Sequence, residues 1–142
     1  MQVVGTDFRM IKGVSKEDIY ALWSNVNDWA SWNSDIESAK LEGAFEEGSY
    51  FTMVLVGGQK VRIQLFKIES NKMFTDVTTF PLAKMYGIHE IIEKEDELEL
   101  RATIKIEGLL SFVWKKLVAN KIANKLGEDM DRLIQVAKSR HE

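Results

Sequence analysis

The chain has no cysteine, a single proline at position 81 and only two histidines in 142 residues. The absence of cysteine excludes disulfides, thiolate nucleophiles and cysteine-ligated metals, and it is typical of a reducing compartment. No apolar run approaches the roughly 20 residues that a membrane-spanning helix needs. The amino-terminal residues also lack the basic start and apolar core of a signal peptide. We therefore expect a cytoplasmic protein without stable membrane insertion.

The charge balance and the missing motifs narrow the function classes further. A net charge of −3 argues against nucleic-acid binding, which needs a basic surface. The chain has no dinucleotide fingerprint, no P-loop and no Ser-His-Asp order, so no cofactor is expected. One interior histidine without cysteine is a poor ligand set, and we expect no metal. Neither repeats nor a flexible linker divide the chain, which predicts one domain over residues 1–142.

A period of two in the apolar residues predicts strands over much of the chain. In the clearest segment, residues 98–107, five apolar residues alternate with five polar ones, which is typical of an antiparallel sheet with one face in water. Turn-forming residues such as Gly57-Gly58 separate these segments. Seven strands are predicted at residues 2–11, 36–42, 48–56, 60–69, 72–79, 83–93 and 97–107.

Two regions have helical spacing instead. After the N-cap residue Ser15, apolar residues recur on one stripe as far as Val26, and Trp29 and Trp32 follow three residues apart. Two short helices are therefore predicted after the first strand. After Gly108 an apolar stripe continues to about residue 138 without proline, which predicts a helix of roughly 30 residues.

This order of elements predicts an α+β architecture. A single long helix covers only one face of a seven-stranded sheet, so we expect the sheet to curve around that helix. Space between the concave face of the sheet and the helix is where a ligand would bind.

Residues spread along the chain are similar to those of one known superfamily. They are Leu22-Trp23-Ser24, Val26, Trp29, Trp32-Asn33, Gly48, Phe51, Met53, Phe74, His89-Glu90, Ile106-Glu107-Gly108-Leu109-Leu110 and Trp114. In this pattern the chain resembles the START-related helix-grip (SRPBCC) superfamily, which includes the birch-pollen allergen group and polyketide cyclase/dehydrase-like proteins. The resemblance covers roughly residues 2–138. It implies a curved seven-stranded antiparallel sheet wrapped round a long C-terminal helix, with two short helices after strand 1.

Ten residues are predicted to contact an apolar ligand between the sheet and the last helix. Trp29 and Trp32 would cover one opening of the cavity. The alternative is that they only fill the gap between the short helices and the sheet. Inward positions of the strands and of the helix supply methionine and aromatic side chains, for which a solid core is the alternative. These remaining contacts are Phe51, Met53, Met85, His89, Ile104, Trp114, Leu117 and Val118.

Two polar residues are the candidates for chemistry. By alternation His89 shares the inward face of its strand with Met85, where it would orient a carbonyl group or act as a general acid or base. Its alternative role is a hydrogen bond within the sheet. The alternation around Asp76 fits either face: if Phe74 and Phe80 point inward, Asp76 does too and would partner His89. We favour the other orientation, with Asp76 on the surface.

The leading functional hypothesis is binding of a hydrophobic small molecule of lipid, polyketide or aromatic type. An alternative is a polyketide cyclase- or dehydratase-like enzyme that uses His89 as acid or base. A third hypothesis is a partner-binding or structural module with a collapsed cavity. In that case Tyr86, Ile88 and Ile92, on the outer face of the sixth strand, would form an exposed strip that invites a homodimer.

Overall fold

The computed structural model describes residues 1–141 of the chain. Within them seven strands form one antiparallel sheet in the order β1-β7-β6-β5-β4-β3-β2. The strands are β1 Gln2–Ile11, β2 Ile36–Glu42, β3 Tyr50–Leu55, β4 Lys60–Glu69, β5 Met73–Phe80, β6 Ala83–Glu93 and β7 Leu98–Glu107. These bounds lie within two residues of the predicted ones.

Two short helices follow β1, as predicted: α1 at Lys16–Ser24 and a 3₁₀ helix at Val26–Ser31. A reciprocal capping box fixes the start of α1. The Ser15 hydroxyl accepts from the backbone N–H of Asp18, and the Asp18 carboxylate accepts from the backbone N–H of Ser15, each at 3.1 Å. The buried face of α1 is Ile19, Leu22 and Trp23.

The C-terminal helical region is long, as predicted, but it is not continuous. It comprises α2 at Ser111–Trp114, a π-helical turn at Lys115–Ala119, α3 at Asn120–Ala123 and α4 at Leu126–His141. The break falls at residues 124–125, just before Gly127. A side chain at Gly127 would strike the guanidinium of Arg9, so this residue allows α4 to approach β1 closely. No helix of the described residues is long and apolar enough to cross a membrane.

The helical region covers one side of the concave face of the sheet, which confirms the helix-grip fold. α4 packs mainly on β1 and α1, and α3 also lies on β1. The approach is close at Gly5, where an added Cβ would lie 2.9 Å from the Cβ of Ala123. The 3₁₀ helix packs on β2 at the opposite edge. The concave face of the middle strands therefore lies between two separate covers.

On the outer face the expected exposed strip of the sixth strand is largely covered. Tyr86 is buried, while Ile88 and Ile92 are half-buried. A bulge in β4 accompanies Phe66 on this face, and its ring packs edge-on against Tyr86 at 5.5 Å. The Tyr86 hydroxyl donates to Glu107 at 2.8 Å. The prediction that Tyr86 is exposed was wrong, because Phe66 of β4 reaches across β5 and packs against the Tyr86 ring.

Candidate functional site

His89 lies on the concave face of β6, as the alternation predicts. Its strand partners are Phe74 in β5 and Ala102 in β7, and both side chains are part of the core. The His89 ring stacks on the Phe74 ring, with centroids 4.3 Å apart and planes inclined by 13°. The side chain keeps 28% of its surface accessible, so the imidazole is held in place without being sealed from water.

Asp76 also lies on the concave face, which corrects the favoured surface orientation. The register of β5 against β6 places Asp76 opposite Gly87, while Phe74 lies opposite His89 and points to the same side. The Asp76 carboxylate oxygen Oδ2 is 3.5 Å from His89 Nε2, and the side chain is 19% accessible. The two residues form an inward-facing acid–imidazole pair, called here the His89–Asp76 pair.

Gly87 makes room for this carboxylate. A Cβ at position 87 would lie 2.8 Å from Asp76 Oδ1, well inside van der Waals contact. The absent side chain therefore leaves the pocket that the carboxylate occupies. Gly87 was not singled out from the sequence. The usable signal was a glycine two residues before an inward histidine in a strand.

Aromatic rings surround the inner end of the pair. Trp23 of α1 lies edge-on to both Phe74 and His89, at centroid distances of 5.1 and 6.1 Å. Phe45, in the loop between β2 and β3, contacts Phe74 at 5.7 Å and Tyr20 at 5.9 Å. Phe45 was missed from the sequence, where its only signal is an aromatic residue in a loop of glycines and glutamates.

The predicted ligand contacts divide into two groups by burial. Trp29, Phe51, Met85 and Ile104 are buried in the core. The other group keeps part of its apolar surface accessible while packing against that core: Trp32, Met53, Trp114 and Val118. Water-accessible apolar surface on the inner side of a sheet is where an apolar ligand can replace solvent.

Leu117 is the exception among the predicted contacts, because its side chain is 55% exposed. The π-helical turn explains the difference. Such a turn contains more residues than an α-helical one, so it rotates the residues that follow relative to an α-helical stripe. Ala119 is fully buried where the α-helical spacing favoured Leu117. The inward assignment of Leu117 was therefore wrong.

Trp29 and Trp32, the two tryptophans that lie three residues apart, differ in their hydrogen bonding. Trp29 Nε1 donates to the backbone carbonyls of Leu22 and Trp23, at 3.1 and 3.2 Å, and the ring lies edge-on to Phe51. Trp32 Nε1 is buried and has no hydrogen-bond partner among the described residues. A buried donor without a partner costs free energy.

Two surface grooves are also present, and neither contains a predicted ligand contact. The larger has a volume of about 610 Å³ and lies between the β5–β6 turn and the segment that follows β7; its lining includes Phe80, Leu82, Glu107 and Leu109. The smaller, of about 200 Å³, lies beside Tyr86 on the outer face.

The chemical capacity of the site rests on the His89–Asp76 pair. An imidazole can take up or release a proton near neutral pH, and an adjacent carboxylate fixes its orientation. Within residues 1–141 no three His, Asp or Glu side chains lie together in an arrangement that could hold a metal ion.

No family model and no curated protein matches the sequence. Solved structures, however, share the fold across nearly the whole chain. The di-domain ARO/CYC protein of the steffimycin biosynthetic pathway matches with a TM-score of 0.75 and 12% identity over 98% of this chain. This chain spans 52% of that protein.

Two further structures match over 95% or more of their lengths. Norcoclaurine synthase from Thalictrum flavum, solved with a transition-state analogue, has a TM-score of 0.73 and 11% identity over 100% of this chain and 99% of its own. A START superfamily protein from Mycobacterium smegmatis has a TM-score of 0.62 and 15% identity over 95% of each chain. These matches confirm the predicted helix-grip fold.

Proposed function

We propose that the protein binds a hydrophobic small molecule between the concave face of the sheet and the C-terminal helical region. The observation that carries the proposal is the accessible apolar surface of Trp32, Met53, Trp114 and Val118 on the inner side of the fold. Apolar contact would supply most of the affinity, at about 25 cal/mol per Å². The His89–Asp76 pair, which keeps part of its surface accessible, would orient polar groups of the ligand.

The structural neighbours support this proposal without naming the ligand. Norcoclaurine synthase was solved in complex with a transition-state analogue, so this fold can hold a small molecule in at least one protein. A lipid, a polyketide or an aromatic compound would fit the accessible apolar side chains on the inner side of the fold.

A cavity-filling substitution tests the binding site. Met53→Trp places an indole on the concave face and is expected to weaken binding of the apolar dye ANS about tenfold, since losing about 50 Å² of apolar contact costs about 1.3 kcal/mol. Met10→Trp is the matched control, because Met10 is exposed on β1. Dye emission, excited directly rather than through tryptophan, gives the two dissociation constants.

The ANS experiment has a clear negative result. If the wild type and Met53→Trp bind the dye equally well, the concave face is not the binding site. Circular dichroism of both variants confirms that each has folded.

The His89–Asp76 pair favours a second candidate, an enzyme that moves a proton next to a carbonyl group, as in cyclase or dehydratase chemistry. His89 lies inside the fold with accessible surface beside it, as this function requires. His89 would take the proton, and Asp76 would hold the imidazole and stabilise its charged form. A positioned acid or base of this kind contributes roughly 10²–10⁴ in rate.

Deuterium exchange into an aryl β-diketone tests this second candidate without knowledge of the natural substrate. The wild type is expected to accelerate exchange at the carbon between the two carbonyls, and His89→Gln to abolish the acceleration. Asp76→Asn should lower it, whereas Asp96→Asn should not, because Asp96 is an exposed turn residue. Equal exchange with the wild type and His89→Gln would exclude His89 as the base.

A further inference from the structure

Exposed apolar side chains cluster at one end of the sheet. Strands β3, β5 and β7 run in the same direction, so the segments that follow them lie at the same end of the sheet. These segments are the β3–β4 turn, the β5–β6 turn and the segment from β7 to α2. Val56, Leu82, Leu109 and Phe112 belong to these segments and are between 62% and 81% exposed. We call Leu82, Leu109 and Phe112 the apolar tip. Large apolar side chains exposed together mark an interaction surface.

The apolar tip is held by specific contacts. The backbone N–H of Leu110 donates to the carbonyl of Leu82 at 3.0 Å, and Leu82 and Leu109 line the same groove. A side chain at Gly108 would strike the Leu82 carbonyl, so a glycine is needed for this approach. Trp114 then stacks on Phe80 at 4.6 Å and donates to the carbonyl of Pro81 at 2.9 Å. These contacts fix the segment that bears Phe112 beside the β5–β6 turn.

The charges around the apolar tip are positive, although the whole chain carries −3. Residues 108–127 contain four lysines and no acid, and Lys84 lies in the groove beside Leu82. Lys125 is paired with Asp35, and Glu107 keeps its negative charge because it accepts from the neutral Tyr86 hydroxyl. Lys84, Lys115, Lys116 and Lys121 still outnumber Glu107 around the apolar tip. The local field therefore favours an anionic partner.

We propose that the apolar tip docks on an anionic lipid surface. Leu82, Leu109 and Phe112 would enter the boundary between headgroups and acyl chains, while Lys84, Lys115 and Lys116 would contact acidic headgroups. A second copy of the chain is a poorer occupant, because a two-fold contact would bring the same lysines against each other. The proposal goes beyond small-molecule binding and depends on other residues, so either can fail alone.

Co-sedimentation with lipid vesicles tests the docking. The wild type is expected to bind vesicles of mixed phosphatidylcholine and phosphatidylserine and not vesicles of phosphatidylcholine alone. Leu109→Ser/Phe112→Ser and Lys115→Glu/Lys116→Glu should each weaken binding about tenfold or more, the first through lost apolar insertion and the second through lost attraction. Binding should also fall in 1 M salt, where screening acts within about 3 Å.

Two control variants match these changes elsewhere on the molecule. Phe8→Ser removes an exposed aromatic side chain from β1, and Lys12→Glu/Lys72→Glu reverses two exposed charges at the opposite end of the sheet. Both should bind the mixed vesicles within about twofold of the wild type.

Three results would overturn the proposal. The first is a wild type that fails to bind the mixed vesicles. The second is a loss of binding in the controls as large as in the test variants. The third is a wild-type dimer by light scattering that Leu109→Ser/Phe112→Ser converts to a monomer, since the apolar tip would then contact a second copy.

Discussion

Gly87 sets the position of the Asp76 carboxylate, and replacing this glycine tests that role. Gly87→Ala puts a methyl group 2.8 Å from Asp76 Oδ1, so either the carboxylate or the strand must shift. We expect a loss of about 1–3 kcal/mol in the free energy of unfolding, as for other overpacked interior positions. Urea denaturation measures the change.

The double variant Gly87→Ala/Asp76→Ala isolates the contact between these two residues. Removing the carboxylate frees the space that the new methyl group needs, so the two losses should not add. If the losses add fully, the cost of Gly87→Ala comes from the strand backbone and not from Asp76.

The two indole N–H groups give a matched pair of substitutions. Trp29→Phe removes a donor that serves two carbonyl oxygens and should destabilise the protein by about 1 kcal/mol beyond the loss of ring area. Trp32→Phe removes a donor without a partner, so no hydrogen bond is lost. Thermal unfolding of the two variants should therefore rank Trp29→Phe as the less stable. The reverse order would mean that Trp32 Nε1 is bonded in solution.

At the level of single residues, the sequence predicted the orientation of His89 but not that of Asp76. In residues 85–91 the acid Glu90 marks one set of alternating positions as the outer one, although Tyr86 and Ile88 in that set are apolar, and His89 belongs to the other set. In β5 both sets are partly apolar, so alternation cannot choose between them. The orientation follows from pairing: β6 fixes which β5 residues lie opposite Gly87 and His89. This pairing depends on the turn at Pro81-Leu82, whose geometry the sequence left open.

Among the elements, α4 is tied to the start of β2 by a cluster of charges. Arg132 and Lys125 both contact Asp35 Oδ2 at 3.3 Å. Burial tends to raise the pKa of Asp35, but hydrogen bonds from Lys125 and Arg132 outweigh it, and the pKa lies below its usual value. A lowered pKa contributes stability that is present above the unfolded value, about 3.9, and is lost as the pH falls through the folded value.

Asp35→Asn should therefore be less stable than the wild type at pH 7 and equally stable in strong acid. The loss should stay below about 1 kcal/mol, because Asp35 is well exposed and the pair is screened by water. Denaturation curves measured at both pH values check this. A loss that persists below the folded pKa would point to packing instead of charge.

Asp129 of α4 is expected to behave in the opposite way. Burial raises its pKa; attraction to Arg132 opposes this effect, and repulsion from Asp35 and Glu128 adds to it. An acid whose folded pKa is raised destabilises the fold above that pKa, and the penalty disappears as the pH falls below the unfolded value. Asp129→Asn should thus raise the melting temperature at pH 7 and leave it unchanged in acid. A lower melting temperature at pH 7 would contradict this assignment.

The helical region shows what periodicity can and cannot predict about an element. The buried hydrophobic residues of α4, Leu126, Met130, Leu133 and Ala137, all belong to the stripe read from the sequence. The π-helical turn was not predicted, because its extra residue shifts the stripe without leaving a proline or glycine as a marker. Leu117 was misplaced for that reason.

For the whole molecule, the helical region covers one side of the concave face and the 3₁₀ helix covers the other. We therefore expect the backbone amides of different strands to be unequally protected against hydrogen exchange. β7 is paired on both sides and lies under the helical region, so its amides should exchange most slowly. β2 is an edge strand, and its neighbour β3 carries the partly accessible Met53. Hydrogen exchange monitored by NMR should give larger protection factors for the amides of β7 than for those of β3. A β3 protected as strongly as β7 would mean that the concave face is closed throughout.

The overall fold could be predicted because strand alternation, turns and the final helical stripe all agreed. The sequence did not predict how completely the side chains of the sheet and of the helical region fill the space between them. It depends on the tilt of one element over another, which shifts Trp29 and Trp32 between a roof and a core position without changing any local pattern.

The unpaired edge of β2 has a consequence for solubility. A free strand edge can add a strand from another molecule and seed aggregation. The side chain of Asn27 accepts from the backbone N–H of Leu41 at 2.7 Å and occupies one of the edge donors. The 3₁₀ helix that carries Asn27 thus blocks part of the β2 edge from pairing with a strand of another molecule. Replacing Asn27 with alanine should leave the fold intact while shortening the time for which a concentrated solution stays clear.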